Sequence, residues 1–104
     1  MDTIKVQQTV LQVEALISQC GHADKAPWLA ARRERLINGT PDEMHTALNE
    51  LARVIAGMGS LSDLYLTPDA TSGMTVVEAN TRLSELLDDL YQEIKRLIGR
   101  TSFR

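Results

Sequence analysis

The chain has 104 residues, of which 43% are hydrophobic and only 4% aromatic, and its formal net charge at neutral pH is −3. This length fits one domain, and the hydrophobic content is too high for a disordered chain. The acidic balance disfavours a nucleic-acid binder, and the shortage of aromatic residues disfavours a β-sandwich or barrel.

The compartment and the domain layout follow from equally simple features. A single cysteine, Cys20, excludes an internal disulfide and fits a reducing environment. No apolar run approaches the roughly 18–20 residues that a membrane span needs, and the first ten residues lack the apolar core of a signal peptide. We therefore expect a cytoplasmic protein with one domain at residues 1–99 and a flexible tail at residues 100–104.

The first helix is predicted by apolar residues that recur at spacings of three and four between residues 3 and 20. These positions are Val6, Val10, Val13, Ile17 and Cys20. Gly21 follows at once and can adopt the left-handed conformation that often ends a helix. A shorter second helix should begin with Asp24 as its N-cap and Pro27 in its first turn, and it should end at Gly39. Trp28 should close one end of the core.

The third and fourth helices have the clearest starting signals in the chain. Thr40 with Glu43, and Thr75 with Glu78, form capping boxes in which hydroxyl and carboxylate satisfy each other's backbone N–H groups. Apolar stripes follow both starts. The third helix should end at Gly57 and the fourth at Gly99.

Between these helices, Gly57 and Gly59 allow a sharp reversal of the chain. Ser60 with Asp63 should then cap a short helical turn at residues 61–65, and residues 67–75 should form the most mobile loop. No segment alternates with the period of a strand. The predicted fold class is all-α, a small antiparallel bundle of four helices plus the short helical turn.

Residues that could perform chemistry are scarce. Cys20, His22 and His45 do not form the two ligand pairs of a structural zinc site, and His45 should be exposed. Ser60 lacks the strand and the G-x-S-x-G pattern of a hydrolase nucleophile. The glycine turn lacks the signature of a phosphate-binding loop. We expect no catalytic residue, no cofactor and no bound metal.

Charge is distributed unevenly along the chain. Residues 36–93 contain ten acidic and two basic residues. Such a block is most simply a solvated surface, but it could also steer a basic protein partner into contact. Three arginines in the second helix, Arg32, Arg33 and Arg35, form too small a patch for nucleic acid.

Three segments resemble a family of small all-helical bacterial proteins of unassigned function. The most specific is GMGSLSDLYL at residues 57–66; ANTRLSEL at residues 79–86 and HADKAPWL at residues 22–29 are weaker. The family turn maps onto Gly57, Gly59, Ser60 and Asp63. Proteins of this kind are similar to immunity proteins, which are encoded beside secreted interbacterial toxins. The resemblance implies a protein that blocks one toxin domain by binding it.

The leading hypothesis is therefore a non-enzymatic immunity protein whose partner is a basic toxin domain. Its candidate contact residues are Asp63, Asp69, Glu85, Asp88, Asp89 and Gln92. The alternative is a structural or regulatory module that forms a homodimer, because Leu86/Leu87 and Leu90/Tyr91 widen the apolar stripe of the last helix. Neither hypothesis involves a membrane or nucleic acid.

Overall fold

The protein is an antiparallel bundle of four α-helices, as predicted. The computed structural model describes residues 2–56, 61 and 64–102, with only the backbone described for Ala56 and residues 100–102. The helices are α1 (Ile4–Gln19), α2 (Ala26–Asn38), α3 (Pro41–Ala56) and α4 (Val76–Ser102), and the described residues contain no strand. Each helix packs against two others, so that the order around the bundle is α1, α2, α3, α4 and back to α1.

The core lies along the axis of this ring and is filled almost wholly by aliphatic side chains. The largest side chains with essentially no exposure include Ile17 from α1, Leu29 from α2, Leu48 from α3 and Ile94 from α4. Every helix thus contributes its apolar stripe to one core, as expected for amphipathic helices in a bundle. Leu86, Leu87 and Leu90 are also buried, and they belong to this core.

Both predicted capping boxes form. The Thr40 N–H donates to Glu43 Oε1 (2.8 Å) and the Glu43 N–H donates to Thr40 Oγ1 (3.2 Å). The corresponding distances at Thr75 and Glu78 are 2.9 and 3.1 Å. Gly21, with φ of 93°, ends α1 as expected, because the His22 N–H reaches back to the Ile17 carbonyl at 2.9 Å.

Three local predictions are wrong. Asp24 does not cap α2: it lies in a 3₁₀ turn (Ala23–Lys25), and the α-helix begins at Ala26. Helix α4 does not end at Gly99 but continues to Ser102, since one glycine costs a helix only about 1 kcal/mol. Trp28 does not close the core; its side chain is 37% exposed and its ring lies under the Arg32 guanidinium, 4.0 Å from the ring centroid.

The connection from α3 to α4 is described only in part. Leu61 has a 3₁₀ conformation and its carbonyl accepts the Leu64 N–H (3.2 Å), but Leu64 and Tyr65 are not helical, so the helical turn predicted at residues 61–65 does not include its last two residues. Gly57, Gly59, Ser60 and Asp63, the predicted family turn, lie outside the described residues.

Candidate docking surface

The outward side of α4 carries three carboxylates that no cation of the described residues neutralises. Glu85, Asp88 and Asp89 are exposed, and their spacing of three and four residues places them on one helix face. None of them forms an ion pair or hydrogen bond within the described part of the chain. Gln92 is exposed one turn further along. We call Glu85, Asp88, Asp89 and Gln92 the α4 acidic face.

Of the other two candidate contact residues, Asp69 does not extend this face. Asp69 lies beside Gln19, at the end of α1. Glu85 lies nine residues after the first residue of α4, which corresponds to about 13 Å along the helix axis. Asp69 also has local partners: it accepts hydrogen bonds from the Thr71 hydroxyl (2.6 Å) and N–H (2.9 Å), which hold the pKa of its carboxyl below the usual value. Asp63 lies outside the described residues.

The carboxylates of α1 and α3 that face α2 are, in contrast, neutralised by its arginines. Arg33 forms two hydrogen bonds to Glu14 (2.7 and 3.1 Å), and the hydrogen-bonded carboxylate raises the pKa of the guanidinium. Arg32 and Arg35 both approach Glu50 Oε1, at 3.2 and 3.3 Å. The three arginines therefore hold neighbouring helices together, and they do not form a free basic patch.

A groove between α3 and α4 borders the α4 acidic face. Its volume is about 440 Å³, and eight described residues line it: Ile55, Leu64, Asn80, Leu83, Ser84, Leu87, Asp88 and Tyr91. Leu83 and Leu87 are 3% exposed and form the floor, while Leu64 and Tyr91 are half-buried at its sides. Asp88 thus belongs both to the acidic face and to the rim of this α3–α4 groove.

Asn80 fixes one end of the groove. Its side-chain oxygen accepts the Leu66 N–H (2.8 Å), and its amide nitrogen donates to the Leu66 carbonyl (2.9 Å) and the Val76 carbonyl (2.8 Å). These bonds use both amide hydrogens and hold Leu66, which has no exposed surface, against the start of α4. The loop is also tied to α1, because the Thr67 N–H donates to the Cys20 carbonyl (3.3 Å).

The α3–α4 groove was missed by sequence reasoning. Ser84 and Tyr91 are the sequence positions that could have indicated the groove, because they lie seven residues apart at the edge of the apolar stripe of α4. Periodicity alone assigns such edge positions to either the core or the surface. Their role depends on where α3 lies against α4, which the sequence pattern does not specify.

The residues considered as metal ligands have other surroundings. The Cys20 thiol is buried at the end of α1, and this burial raises its pKa, with a smaller contribution from the charge of Asp69. His22 Nε2 lies 3.0 Å from the Tyr65 carbonyl. His45 is half-buried, not exposed as expected, and its Nε2 has no hydrogen-bond partner among the described residues. Within residues 2–56, 61 and 64–102, no cluster of three or more His, Cys, Asp or Glu side chains could hold a metal ion.

Comparison with known proteins gives no further assignment. No protein-family model matches the sequence, and neither curated proteins nor solved structures give a significant match. In the described part of the chain, no helix combines the length and the apolar character required to cross a membrane.

Proposed function

We propose that this protein is a non-enzymatic binding module that docks a basic partner domain on the α4 acidic face. In its specific form, the proposal is an immunity protein that neutralises a cognate bacterial toxin domain in the cytoplasm. The observation that carries it is the set of three exposed carboxylates, Glu85, Asp88 and Asp89, which have no cation partner in the described part of the chain. Glu14 and Glu50, in comparison, are both paired with arginines of α2.

The unpaired carboxylates of the α4 acidic face repel one another in the free protein, but they can attract a basic partner. Like charges at spacings of three and four on a helix repel one another by a few tenths of a kcal/mol per pair. A basic partner removes that repulsion, and it is also attracted over about one Debye length, roughly 8 Å at physiological salt. Fast, salt-sensitive association is the expected signature of such a surface.

The test is copurification of the tagged protein with the product of the neighbouring open reading frame, together with protection of growth when both are expressed. The test variant is Asp88→Lys with Asp89→Lys. The matched control is Asp24→Lys with Asp42→Lys, which makes the same change in net charge at two exposed positions on other elements.

A one-to-one complex and growth protection with the wild type and the control, both lost in the test variant, support the proposal. Retention of the complex by the test variant would contradict it. Circular dichroism shows whether each variant is still helical, so that loss of binding is not confused with loss of folding.

The homodimer alternative is favoured by a different surface from the one first considered. The leucines of the α4 doublets are buried in the core, whereas Ile4 and Leu11 on α1 are 54% and 52% exposed, seven residues apart on one helix face. This face could bind a second copy. Light scattering over a range of concentrations tests it: a mass that rises with concentration and falls in Leu11→Glu supports the dimer, and a constant monomer mass excludes it.

A further inference from the structure

Among the described residues that line it, the α3–α4 groove combines an apolar floor with one charged side chain, that of Asp88 on α4. Leu83, Leu87 and Ile55 provide the floor and are at most 7% exposed, although they still line the groove. The volume of about 440 Å³ lies within the range of roughly 300–1,000 Å³ that is typical of ligand pockets. The groove is therefore large enough to bury apolar side chains of a partner.

The polar groups at the groove are distributed asymmetrically. Both amide hydrogens of Asn80 are engaged by the Leu66 and Val76 carbonyls, so this side chain offers no free donor to a ligand. The Ser84 hydroxyl and the Asp88 carboxylate form no hydrogen bond with another described residue, and both lie on the α4 side. In the described part of the chain, a ligand seated in the groove thus meets the apolar side chains of Ile55 and Leu64 on one side and the Asp88 carboxylate on the other.

We infer that the α3–α4 groove receives the apolar side chains of a basic amphipathic helix in the partner, whose Lys or Arg residues contact Asp88 and its neighbours on the α4 acidic face. This inference rests on the proposed function, because it specifies how the partner docks. Leu83, Leu87 and Tyr91 follow one another at four-residue intervals along α4. The holes between such residues accept the i and i+4 side chains of a second helix packed alongside.

Charge complementarity favours this occupant over a second copy of the chain. A second copy seated on the groove would bring its own net negative charge towards Glu85, Asp88 and Asp89. The exposed apolar residues of α1, Ile4 and Leu11, have Lys5 beside them, and Arg96, which is close enough to interact with Asp2, is already paired with Glu93. A basic helix of a different protein satisfies the floor and the rim together.

The first experiment uses a synthetic probe, a Leu/Lys amphipathic peptide of roughly 18 residues, which is long enough to form a helix. Its controls are a peptide of the same composition in scrambled order and a Leu/Glu peptide with the same pattern. Binding is measured by titration calorimetry against the wild type, Ser84→Trp and Gln8→Trp. Ser84 is exposed beside the groove, and Gln8 is an exposed position on α1.

Ser84→Trp places a bulky side chain at the mouth of the groove and should weaken binding of the Leu/Lys peptide at least about tenfold, the effect expected for blocking a central apolar contact. Gln8→Trp should bind as the wild type does. The scrambled and Leu/Glu peptides should bind at least about tenfold more weakly than the Leu/Lys peptide. Equal binding of the scrambled peptide, or of Ser84→Trp, would overturn the inference.

A second measurement does not depend on the folding of any variant. In methyl NMR spectra of the wild type, the Leu/Lys peptide should shift the signals of Leu83 and Leu87 and leave Leu11 unchanged. Shifts confined to Leu11 would contradict the inference. A concentration-dependent dimer that Ser84→Trp abolishes would identify a second copy as the occupant and would also contradict it.

The inference and the proposed function fail in different ways. If Asp88→Lys with Asp89→Lys abolishes copurification of the partner while Ser84→Trp leaves it intact, the acidic face stands and the groove is excluded. If the peptide occupies the groove but the Asp88 and Asp89 variant still copurifies with the partner, the proposed function fails and the groove remains a helix-binding site.

Discussion

Helices α2 and α4 differ in how their charged side chains are paired. On α2, Arg33 pairs with Glu14 of α1, and Arg32 and Arg35 pair with Glu50 of α3, so its charges join it to both of its neighbours. On α4, the pair formed by Glu93 and Arg96 lies within the helix, three residues apart, and Glu85, Asp88 and Asp89 have no cation partner among the described residues.

This difference separates charges that stabilise the fold from charges that are available to a partner. Removing a charge from α2 should leave its partner desolvated and unpaired, and should therefore destabilise the bundle. Removing a charge from the α4 acidic face should relieve repulsion and leave stability equal or slightly higher. Substitutions on either helix, or in the core that supports both, can break this contrast.

The largest effect should come from the inward side of α4, beneath the groove. Leu87→Ala removes a side chain that is only 3% exposed, and it should lower the free energy of unfolding by about 2–5 kcal/mol through lost burial and a residual cavity. Urea unfolding followed by circular dichroism measures it. Ser84→Ala, exposed one turn away, is the control; a loss for Leu87→Ala no greater than that of the control would contradict the packing described for the groove floor.

The α2 side of the comparison is tested by Arg33→Met. The side chain of Glu14 is 11% exposed, so loss of its bidentate partner leaves a largely buried carboxylate and should cost about 2 kcal/mol. The double variant Glu14→Gln with Arg33→Met should recover most of this loss, because no unpaired charge remains. If the double variant were less stable than Arg33→Met alone, the carboxylate would not be the source of the cost.

A pH effect should appear at the start of α3. Hydrogen bonds from the Thr40 N–H, and then from its hydroxyl, hold the pKa of Glu43 below its ordinary value near 4.3. Because the folded-state pKa is lowered, the stability due to Glu43 is fully present above the unfolded pKa and is lost as the pH falls through the folded pKa.

Glu43→Gln should therefore lower Tm near neutral pH, and the difference from the wild type should shrink as the pH falls below about 4. Thermal unfolding at several pH values measures this. A difference that is the same at neutral and acidic pH would show that the ionised carboxylate is not the capping group.

The smallest effect should come from the outward side of α4. Asp89→Asn removes a like-charge contact with Glu85 four residues earlier, and it should raise the free energy of unfolding by a few tenths of a kcal/mol. The gain in stability should vanish at about 1 M salt, because exposed charges more than about 3 Å apart are then screened from one another. A clear loss of stability at low salt would mean that Asp89 has a stabilising role in the free protein.

Much of this fold could be predicted from the sequence, because helix periods and capping boxes are local signals. The boxes at Thr40 and Thr75 form as expected, and Val10, Leu48 and Ile94 all lie in the core. The prediction for Asp24 is wrong because aspartate is favoured in turns as well as at N-caps. The Lys25 N–H donates to the His22 carbonyl, and the resulting 3₁₀ turn occupies the position where a cap was expected.

The candidate site was less predictable because it depends on distances between helices. The exposure of Glu85, Asp88 and Asp89 follows from helix periodicity, and the structure has them on one face as expected. The separation of Asp69 from them and the half-burial of Tyr91 depend on how the loop and α3 pack against α4. No local pattern in the sequence carries that information.

The most direct test of the α4 surface is an NMR map of the isotopically labelled protein with the copurified partner domain added. We predict that the largest backbone shifts fall on α4 between Ser84 and Gln92, and that they weaken as salt is raised. Shifts concentrated on α1 around Ile4 and Leu11, with α4 unchanged, would contradict the account and assign binding to the uncharged stripe instead.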